Sequence, residues 1–216
     1  MAGITGGVGC GKSTAARAFE RRGFRRLDSD QIVRDEVLTD PAVIASVRTR
    51  YGDAVIEAPA ETPRAVILDP STSGVAEPQN MGRAVINRAG LAARVFADDA
   101  ERIWLEELTH PRVFAAWRRA FAAEPAARWI VEVPLLFEKA LENWFDFTVC
   151  VACAPAQQLA RLEQRGLPRA LAGQRISKQL PLARKIELSD FVLWNEGSPA
   201  FLESQVDRLA EALVAA

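Results

Sequence analysis

Residues 6–14 read Gly6-Gly7-Val8-Gly9-Cys10-Gly11-Lys12-Ser13-Thr14 and match the phosphate-binding pattern G-x-x-x-x-G-K-[ST]. Glycines in one tight turn let successive backbone N–H groups point at one anion, because no Cβ atoms block the approach. Lys12 can then reach the β- and γ-phosphates of a nucleotide, and the Ser13 hydroxyl can ligate Mg²⁺. The helix-forming residues that follow would direct a helix N-terminus at the phosphates. The motif predicts a nucleoside triphosphate as the ligand, held by Gly7 to Thr14.

The composition favours one α/β domain with an inserted subdomain. The chain has 216 residues, of which 49% are hydrophobic, so it can bury a sizeable core. A formal net charge of −1 gives no overall field that would recruit nucleic acid or an anionic membrane. No apolar run approaches the roughly 20 residues of a membrane-spanning helix. Three cysteines without a disulfide-like framework suit a reducing cytoplasm. We expect a cytoplasmic monomer or weak homo-oligomer without nucleic-acid or membrane partners.

Short apolar runs alternate with helical patterns along the chain. The runs that we interpret as strands cover residues 1–5, 24–27, 128–133, 145–151 and 191–194. Two of them, 128–133 and 145–151, are nearly continuous in apolar residues, as expected for strands buried on both faces of a parallel sheet. Strands that alternate with helices behind a phosphate-binding loop predict a doubly wound parallel sheet.

The middle of the chain differs in pattern from both ends. Residues 59–82 are punctuated by proline and glycine, which predicts a long loop or insertion at the surface. Three helices should follow: residues 83–97, a helix capped by Asp98, and a helix that starts near His110-Pro111. We therefore divide the chain into a core (1–34, 128–160 and 186–216), a helical subdomain (35–127) and an arginine-rich segment (161–185) that could close as a lid.

Asp28-Ser29-Asp30 stands at the carboxyl end of a predicted strand, which is the edge where open α/β sheets bind ligands. Phosphoryl transfer to an alcohol needs one group that accepts the hydroxyl proton and others that hold Mg²⁺. Two aspartates separated by one residue can divide these tasks. The alternative is a solvated turn in which Asp30 caps the next helix.

Two further features have a structural interpretation. Cys150 and Cys153 have C-x-x-C spacing, but they lie in a predicted buried strand, with no second cysteine pair and a single histidine in the chain. Zinc binding or redox use of that motif is therefore not expected. His110, directly before Pro111, fits a helix start better than a catalytic position.

Several segments together resemble the dephospho-coenzyme A kinase family. They are Thr5 to Thr14, Asp28 to Asp30, His110-Pro111, Val133-Pro134-Leu135-Leu136-Phe137-Glu138 and a late stretch with Gln179, Lys185, Asp190 and Asn195. The similarity covers nearly the whole chain in order. It implies ATP-dependent phosphorylation of the ribose 3′-hydroxyl of dephospho-coenzyme A. It also implies a P-loop kinase core, an inserted helical acceptor domain and a lid.

The resemblance also implies roles for single residues. Lys12, Asp28 and Asp30 would be catalytic: Asp30 is the base that contacts the 3′-hydroxyl, and Asp28 joins Ser13 at Mg²⁺. Outside the loop, the residues that would meet ATP are Arg161, Arg175, Asn195 and Gly197. Those that would bind the acceptor together with Asp30 are Arg88, His110, Pro134, Leu135 and Glu138.

Two other interpretations remain open from the sequence. One is a different small-molecule kinase of the same fold, of nucleoside-monophosphate or shikimate type. The adenylate-kinase pattern G-x-P-G-x-G-K and a Gly-Gly-Gly acceptor loop are both missing from the sequence, which disfavours it. The other is a nucleotide-dependent switch or binding protein. The missing N-K-x-D motif and the pair of aspartates disfavour this second interpretation.

Overall fold

The computed structural model describes residues 1–57 and 84–215, so the predicted insertion at 59–82 lies outside the described residues. The chain forms two compact units. The first comprises Met1–Asp30 and the chain from Trp117 onward, and the second comprises Gln31–Ala116. The predicted division into core, acceptor subdomain and lid remains a prediction.

The strands, in chain order, are β1 (Ala2–Gly6), β2 (Arg25–Asp28), β3 (Ile56–Glu57), β4 (Val85–Ile86), β5 (Trp129–Glu132), β6 (Phe147–Ala152) and β7 (Phe191–Trp194). The α-helices are α1 (Lys12–Arg21), α2 (Ser29–Ile32), α3 (Pro41–Tyr51), α4 (Arg88–Ala97), α5 (Asp99–Ala123), α6 (Pro155–Gln164), α7 (Arg169–Ser177), α8 (Leu182–Leu188) and α9 (Pro199–Ala215). A π-helical turn covers Val33–Val37, and 3₁₀ turns cover Gly52–Val55 and Glu142–Trp144. In the described ranges, no helix combines the length and apolarity that crossing a membrane requires.

The first unit is built on a five-stranded sheet in the order β2-β5-β1-β6-β7, with every pairing parallel. This confirms the predicted doubly wound parallel sheet, and each run predicted as a strand overlaps one. β1 is central, with Ile4 in register with both Glu132 of β5 and Val149 of β6. The carboxyl ends of β1, β2 and β5 therefore meet at one edge of the sheet.

The core of this unit packs on β1, whose five residues are all buried. On one face, Ala2 and Ile4 join a cluster to which α1 contributes Ala15, Ala16, Ala18 and Phe19, and α9 contributes Leu202, Val206, Leu209 and Ala210. Gly3 permits close packing by the chain that follows β5. A Cβ there would lie 2.6 Å from Phe145 Cδ2 and 2.8 Å from Leu136 Cδ1, which is closer than real contacts allow. Packing on β1 fixes where the loop after it begins.

The second unit is mainly helical. Helix α3 starts with Pro41 in its first turn, and Asp40 Oδ1 accepts hydrogen bonds from Ala42 N at 2.7 Å and Val43 N at 3.3 Å. The predicted helix over 83–97 is wrong at its start, because α4 begins only at Arg88, where Asn87 Oδ1 accepts from Gly90 N at 2.8 Å. Before it lies the two-residue strand β4, which pairs antiparallel with β3.

The predicted helix boundary near His110-Pro111 is also wrong, because Pro111 lies inside the 25-residue helix α5. A proline removes one i→i−4 hydrogen bond but need not end a helix whose neighbouring carbonyls find other donors. Here Thr109 Oγ1 donates to Leu105 O at 2.8 Å, and Arg112 Nη1 donates to Leu108 O at 2.7 Å. These two side chains bond carbonyls on either side of Glu107 O, the carbonyl whose backbone donor the proline removes.

Candidate active site

The phosphate-binding loop connects β1 to α1 and has the backbone geometry that the motif predicts. Gly11 precedes α1 with φ 98° and ψ 27°, in the left-handed region that favours glycine. A Cβ at Gly11 would also lie 2.2 Å from Asn195 Nδ2. Cys10 N donates to Gly7 O at 3.1 Å, and Ala15 N donates to Gly11 O at 3.1 Å. These two hydrogen bonds close the turn.

Lys12 lies at the first position of α1 and bends back over the loop. Its Nζ donates to Gly6 O and Gly7 O, at 3.1 Å each. Burial, and secondarily the nearby Lys185 ammonium, lowers the pKa of Lys12, while the charges of Asp30 and Glu132 act in the opposite direction. The nearby negative groups therefore offset the effect of burial only in part, and the phosphates of a nucleotide would add negative charge that favours the ammonium.

Side chains from three distant segments hold the loop backbone. Val8 N donates to Gln179 Oε1 at 3.0 Å, and Val8 O accepts from Gln158 Nε2 at 2.7 Å. Asn195 Nδ2 donates to Cys10 O at 2.8 Å. Arg161 Nη2 in turn donates to Asn195 O at 2.8 Å. These contacts fix the loop from α6, from the segment between α7 and α8, and from the end of β7.

A chain of polar side chains joins the carboxyl ends of β2 and β5 to the start of α1. Ser13 Oγ donates to Glu132 Oε2 at 2.7 Å. Arg26 bridges the two strands, donating from Nε to Glu132 Oε1 at 2.7 Å and from Nη2 to Asp28 Oδ2 at 3.0 Å. Glu132 is buried, with 3% of its surface exposed, so a fixed carboxylate stands beside the Ser13 hydroxyl.

The two aspartates of the predicted pair occupy different elements. Asp28 is the last residue of β2, whereas Asp30 lies in the first turn of α2 and is exposed. Asp30 is close enough to Lys12 that its negative charge opposes the lowering of the Lys12 pKa by burial. Because α2 begins at Ser29, Asp30 lies inside its first turn and not at the capping position that the alternative interpretation requires.

The chain after β5 is tied to α8 by a buried cation. Lys185 Nζ donates to Pro134 O at 2.7 Å and lies 2.8 Å from Glu138 Oε1, and the lysine has no exposed surface. Glu138 Oε1 also accepts from Leu180 N at 2.9 Å. Leu135, beside Pro134, is half-buried. The predicted acceptor residues Pro134 and Glu138 are thereby held in one fixed segment.

The remaining predicted site residues are not joined to this network by a described contact. Arg175 is exposed on α7, and Gly197 is exposed between β7 and α9. Arg88 and His110 belong to the second unit, where Arg88 begins α4 and the His110 ring lies 5.8 Å from that of Phe114. The expected roles of these four residues remain predictions.

Five residues of the network were not predicted as parts of the site: Arg26, Glu132, Gln158, Gln179 and Lys185. Glu132 had a readable signal, because it is the acidic residue in an otherwise apolar strand run, where a buried charge needs a partner. Gln179 and Lys185 carried part of the family resemblance but no assigned role. Gln158 lies in a helix pattern without any motif, so nothing in the sequence marked it.

Known proteins resemble this chain over most of its length. A family model described as dephospho-CoA kinase matches residues 1–69 and 78–200. A dephospho-CoA kinase from Thermosynechococcus vestitus is 37% identical over 208 residues, covering 95% of this chain and 91% of its own length. One from a Synechococcus species is 36% identical over 209 residues, covering 96% and 94%.

Solved structures show the same fold. The crystal structure of TT1252 from Thermus thermophilus has a TM-score of 0.75 at 27% identity, over 98% of this chain and 96% of that one. The dephospho-CoA kinase from Campylobacter jejuni has a TM-score of 0.62 at 20% identity, with the same coverage of both chains. TT1252 resembles this chain in both fold and sequence. The Campylobacter jejuni kinase, at 20% identity, shows a similarity of fold.

Proposed function

This chain belongs to the dephospho-coenzyme A kinase family, and we propose that it transfers the γ-phosphoryl group of ATP to the ribose 3′-hydroxyl of dephospho-coenzyme A. The products are coenzyme A and ADP, so the reaction completes coenzyme A synthesis. The observation that carries the proposal is the convergence at one sheet edge of a phosphate-binding loop with carboxylates. Lys12 lies within electrostatic reach of both Asp30 and Glu132.

The phosphate loop would bind the nucleotide through its backbone N–H groups, from Gly7 to Thr14. Lys12 Nζ would move from the carbonyl oxygens of Gly6 and Gly7 to the β- and γ-phosphates. Charged phosphate oxygens are stronger acceptors for an ammonium group than neutral carbonyl oxygens. Arg161 supports the loop through Asn195 and adds positive charge near the phosphates. We assign Arg175 to the phosphates and Asn195 with Gly197 to the adenine side.

Mg²⁺ fits the oxygen donors at the start of α1. Ser13 Oγ, Glu132 and Asp28 offer a hydroxyl and two carboxylates, the hard ligands that Mg²⁺ prefers. In the part of the chain that the structure describes, no three acidic, histidine or cysteine side chains form a metal cluster. This agrees with a metal that takes the rest of its ligands from phosphates and water. Bound Mg²⁺ would neutralise charge on the β- and γ-phosphates.

Asp30 is suited to accept the proton of the 3′-hydroxyl. Its carboxylate is exposed, and it stands near Lys12, which marks the position of the γ-phosphate. A group placed there can orient the attacking oxygen in line with the phosphorus atom, and orientation supplies much of the catalysis of phosphoryl transfer. Asp28 already accepts a hydrogen bond from Arg26 Nη2 at Oδ2, and we assign this carboxylate to Mg²⁺ and not to the hydroxyl proton.

On the acceptor side we propose two kinds of residue. Pro134 and Leu135 line the site directly. Glu138 would position this segment without contacting the acceptor itself, because its Oε1 already contacts Lys185 Nζ and Leu180 N. We also assign Arg88 and His110 to the acceptor, as the family resemblance implies. Three free, buried cysteines favour a reducing compartment, and we propose the cytoplasm.

The experiment that tests this function measures the initial rate of ADP release with Mg²⁺ and one of five acceptor conditions. These are dephospho-coenzyme A, its 3′-deoxy analogue, adenosine monophosphate, shikimate and no acceptor. We expect fast ADP release with dephospho-coenzyme A alone. The 3′-deoxy analogue is the matched control, because it lacks only the reacting hydroxyl. Equal rates with and without acceptor would favour an ATPase or switch, and stimulation by adenosine monophosphate or shikimate would favour another kinase.

A further inference from the structure

The sulfur atoms of Cys10 and Cys153 lie 3.5 Å apart inside the protein. Cys10 belongs to the phosphate loop, and Cys153 directly follows β6. Both are free thiols, with 0% and 1% of their surface exposed. The C-x-x-C spacing of Cys150 and Cys153 is therefore misleading, because the partner of Cys153 is 143 residues away in the chain. The cysteine pair joins the candidate active site to the end of the central sheet.

The pair has an asymmetry that suits disulfide chemistry. The Cys153 thiol donates its hydrogen bond to Cys10 Sγ, and this bond, helped by the charge of Lys12, lowers the pKa of Cys10 to about 7. The same bond and burial raise the pKa of Cys153, and burial raises the pKa of Cys150 to about 12. Because the thiolate is the nucleophile, Cys10 is the sulfur that reacts first. Cys153 then stands in contact to complete the bond.

We propose that Cys10 and Cys153 form a reversible disulfide when a hydroperoxide oxidises the protein, and that this modification closes the phosphate loop to ATP. The Cys10 thiolate attacks one peroxide oxygen, takes up a hydroxyl group as a sulfenic acid and releases water after protonation. Cys153 then attacks the Cys10 sulfur, loses its proton and displaces a second water. Two thiols are oxidised to one disulfide, and one hydrogen peroxide is reduced to two waters.

The effect on ATP, which rests on the proposed function, follows from distances at the loop. A disulfide needs a sulfur–sulfur distance of about 2.0 Å, so the sulfurs must approach by about 1.5 Å. Cys10 has little freedom to move alone, because its N–H bonds Gly7 O and its carbonyl bonds Asn195 Nδ2. The loop backbone must follow the sulfur. A displacement of about 1 Å at a binding site can cost about 10²-fold in rate.

The neighbourhood of Gly7 leaves the sulfur few alternative positions. A Cβ at Gly7 would lie 2.9 Å from Cys10 Sγ and 2.4 Å from Gln158 Nε2. Cys10 Sγ and the Gln158 side chain of α6 thus both lie close to Gly7, and Cys10 has no exposed surface. Bound ATP would hold the loop amides in place and should slow formation of the disulfide.

The test compares the full-length protein with Cys10→Ser, Cys153→Ser and, as the matched control, Cys150→Ser. Each protein is treated with hydrogen peroxide, with and without Mg²⁺-ATP, and the remaining thiols are alkylated. Peptide mapping by mass spectrometry identifies any cross-link, and calorimetry measures ATP affinity before oxidation, after oxidation and after dithiothreitol. Cys150→Ser removes a buried thiol of β6 that lies outside the proposed pair.

We expect a Cys10–Cys153 cross-link in the wild type and in Cys150→Ser, with slower formation in the presence of ATP. On oxidation ATP affinity should fall and the rate of ADP release should drop by about 10²-fold, and both should recover with dithiothreitol. For Cys10→Ser and Cys153→Ser, which cannot form this disulfide, the ATP affinity after peroxide should equal that of the same variant before peroxide, whatever its value relative to the wild type. Absence of this cross-link, or a cross-link through Cys150, would overturn the assignment of the pair. A cross-linked protein that binds ATP normally would overturn its effect on the loop. Failure of the reduced protein to bind ATP would instead count against the proposed function.

Discussion

Lys185 Nζ lies 2.8 Å from Glu138 Oε1, and this buried ion pair fastens the chain after β5 to α8. The lysine also donates to Pro134 O, so the ammonium has two fixed acceptors from one short segment. Leu180 N completes the arrangement through the same carboxylate oxygen. A residue without any exposed surface thereby positions the side of the site that we assign to the acceptor.

Lys185→Met should destabilise the protein by about 3–5 kcal/mol, because it leaves the Glu138 carboxylate without its counter-ion. The double variant Lys185→Met/Glu138→Leu should recover much of this loss, because no uncompensated charge remains. The control is Arg184→Met on the same helix, whose exposed pair with Glu187 should contribute about 1 kcal/mol or less. Urea unfolding of the four proteins measures these differences. Equal losses for Lys185→Met and Arg184→Met would contradict the buried pair.

Lys12→Ala should leave the protein folded and lower kcat/KM by about 10²–10³-fold, as expected for removing one preorganised group that stabilises charge in the transition state. Arg17→Ala is the matched control, since Arg17 is an exposed cation on the same helix. Steady-state kinetics with both substrates, together with circular dichroism, measure the effect. Near-normal turnover in folded Lys12→Ala would remove the phosphate loop from the mechanism.

Asp30→Asn should lower kcat more than it raises KM for ATP, because a base or orienting group for the hydroxyl acts mainly in the transition state. General-base assistance contributes about 10²–10⁴-fold, and the loss should lie at the low end if orientation matters more than proton removal. Asp28→Asn should instead weaken the response to Mg²⁺. A magnesium titration of kcat separates the two variants. Rescue of Asp30→Asn by extra metal, without rescue of Asp28→Asn, would reverse the two roles.

The Cys10 thiol should titrate near pH 7 in the reduced, nucleotide-free protein, against an ordinary value of 9.0. A lowered thiol pKa means that the thiolate dominates above about pH 7. Cys153→Ala removes the largest cause of the shift, so the midpoint should rise in that variant. Ultraviolet absorbance of the thiolate, measured against pH with Cys10→Ser subtracted, gives the midpoint. A single titration at the ordinary value in both proteins would contradict the hydrogen bond between the two sulfurs.

Local patterns predicted much of the fold. The phosphate motif and the apolar runs predict β1, β5, β6 and β7, because a buried parallel strand and a glycine-rich turn are each encoded by a continuous stretch of residues. The sequence patterns did not predict β3 and β4, because a strand of two residues is too short to show an alternation of apolar and polar side chains. Pro111 indicated a break that α5 does not have, because side-chain donors from Thr109 and Arg112 cannot be anticipated from propensity.

The site was less predictable than the fold because its contacts join distant parts of the chain. Ser13 and Glu132 are 119 residues apart, and Cys10 and Cys153 are 143 apart. The phosphate-binding motif identifies the residues of one loop. Which distant side chains contact that loop depends on the order of the strands in the sheet. The position of β5 between β1 and β2 brings Glu132 into register with Asp28 at the same edge of the sheet.

The central claim is that the protein phosphorylates dephospho-coenzyme A at the ribose 3′-hydroxyl. The most direct measurement follows the γ-phosphate of labelled ATP into the products, with mass spectrometry for stoichiometry and phosphorus NMR for the position of the label. Coenzyme A labelled at the 3′-phosphate, one molecule for each ADP, is the predicted result. Label that appears as inorganic phosphate, or on another hydroxyl of the acceptor, would contradict the account.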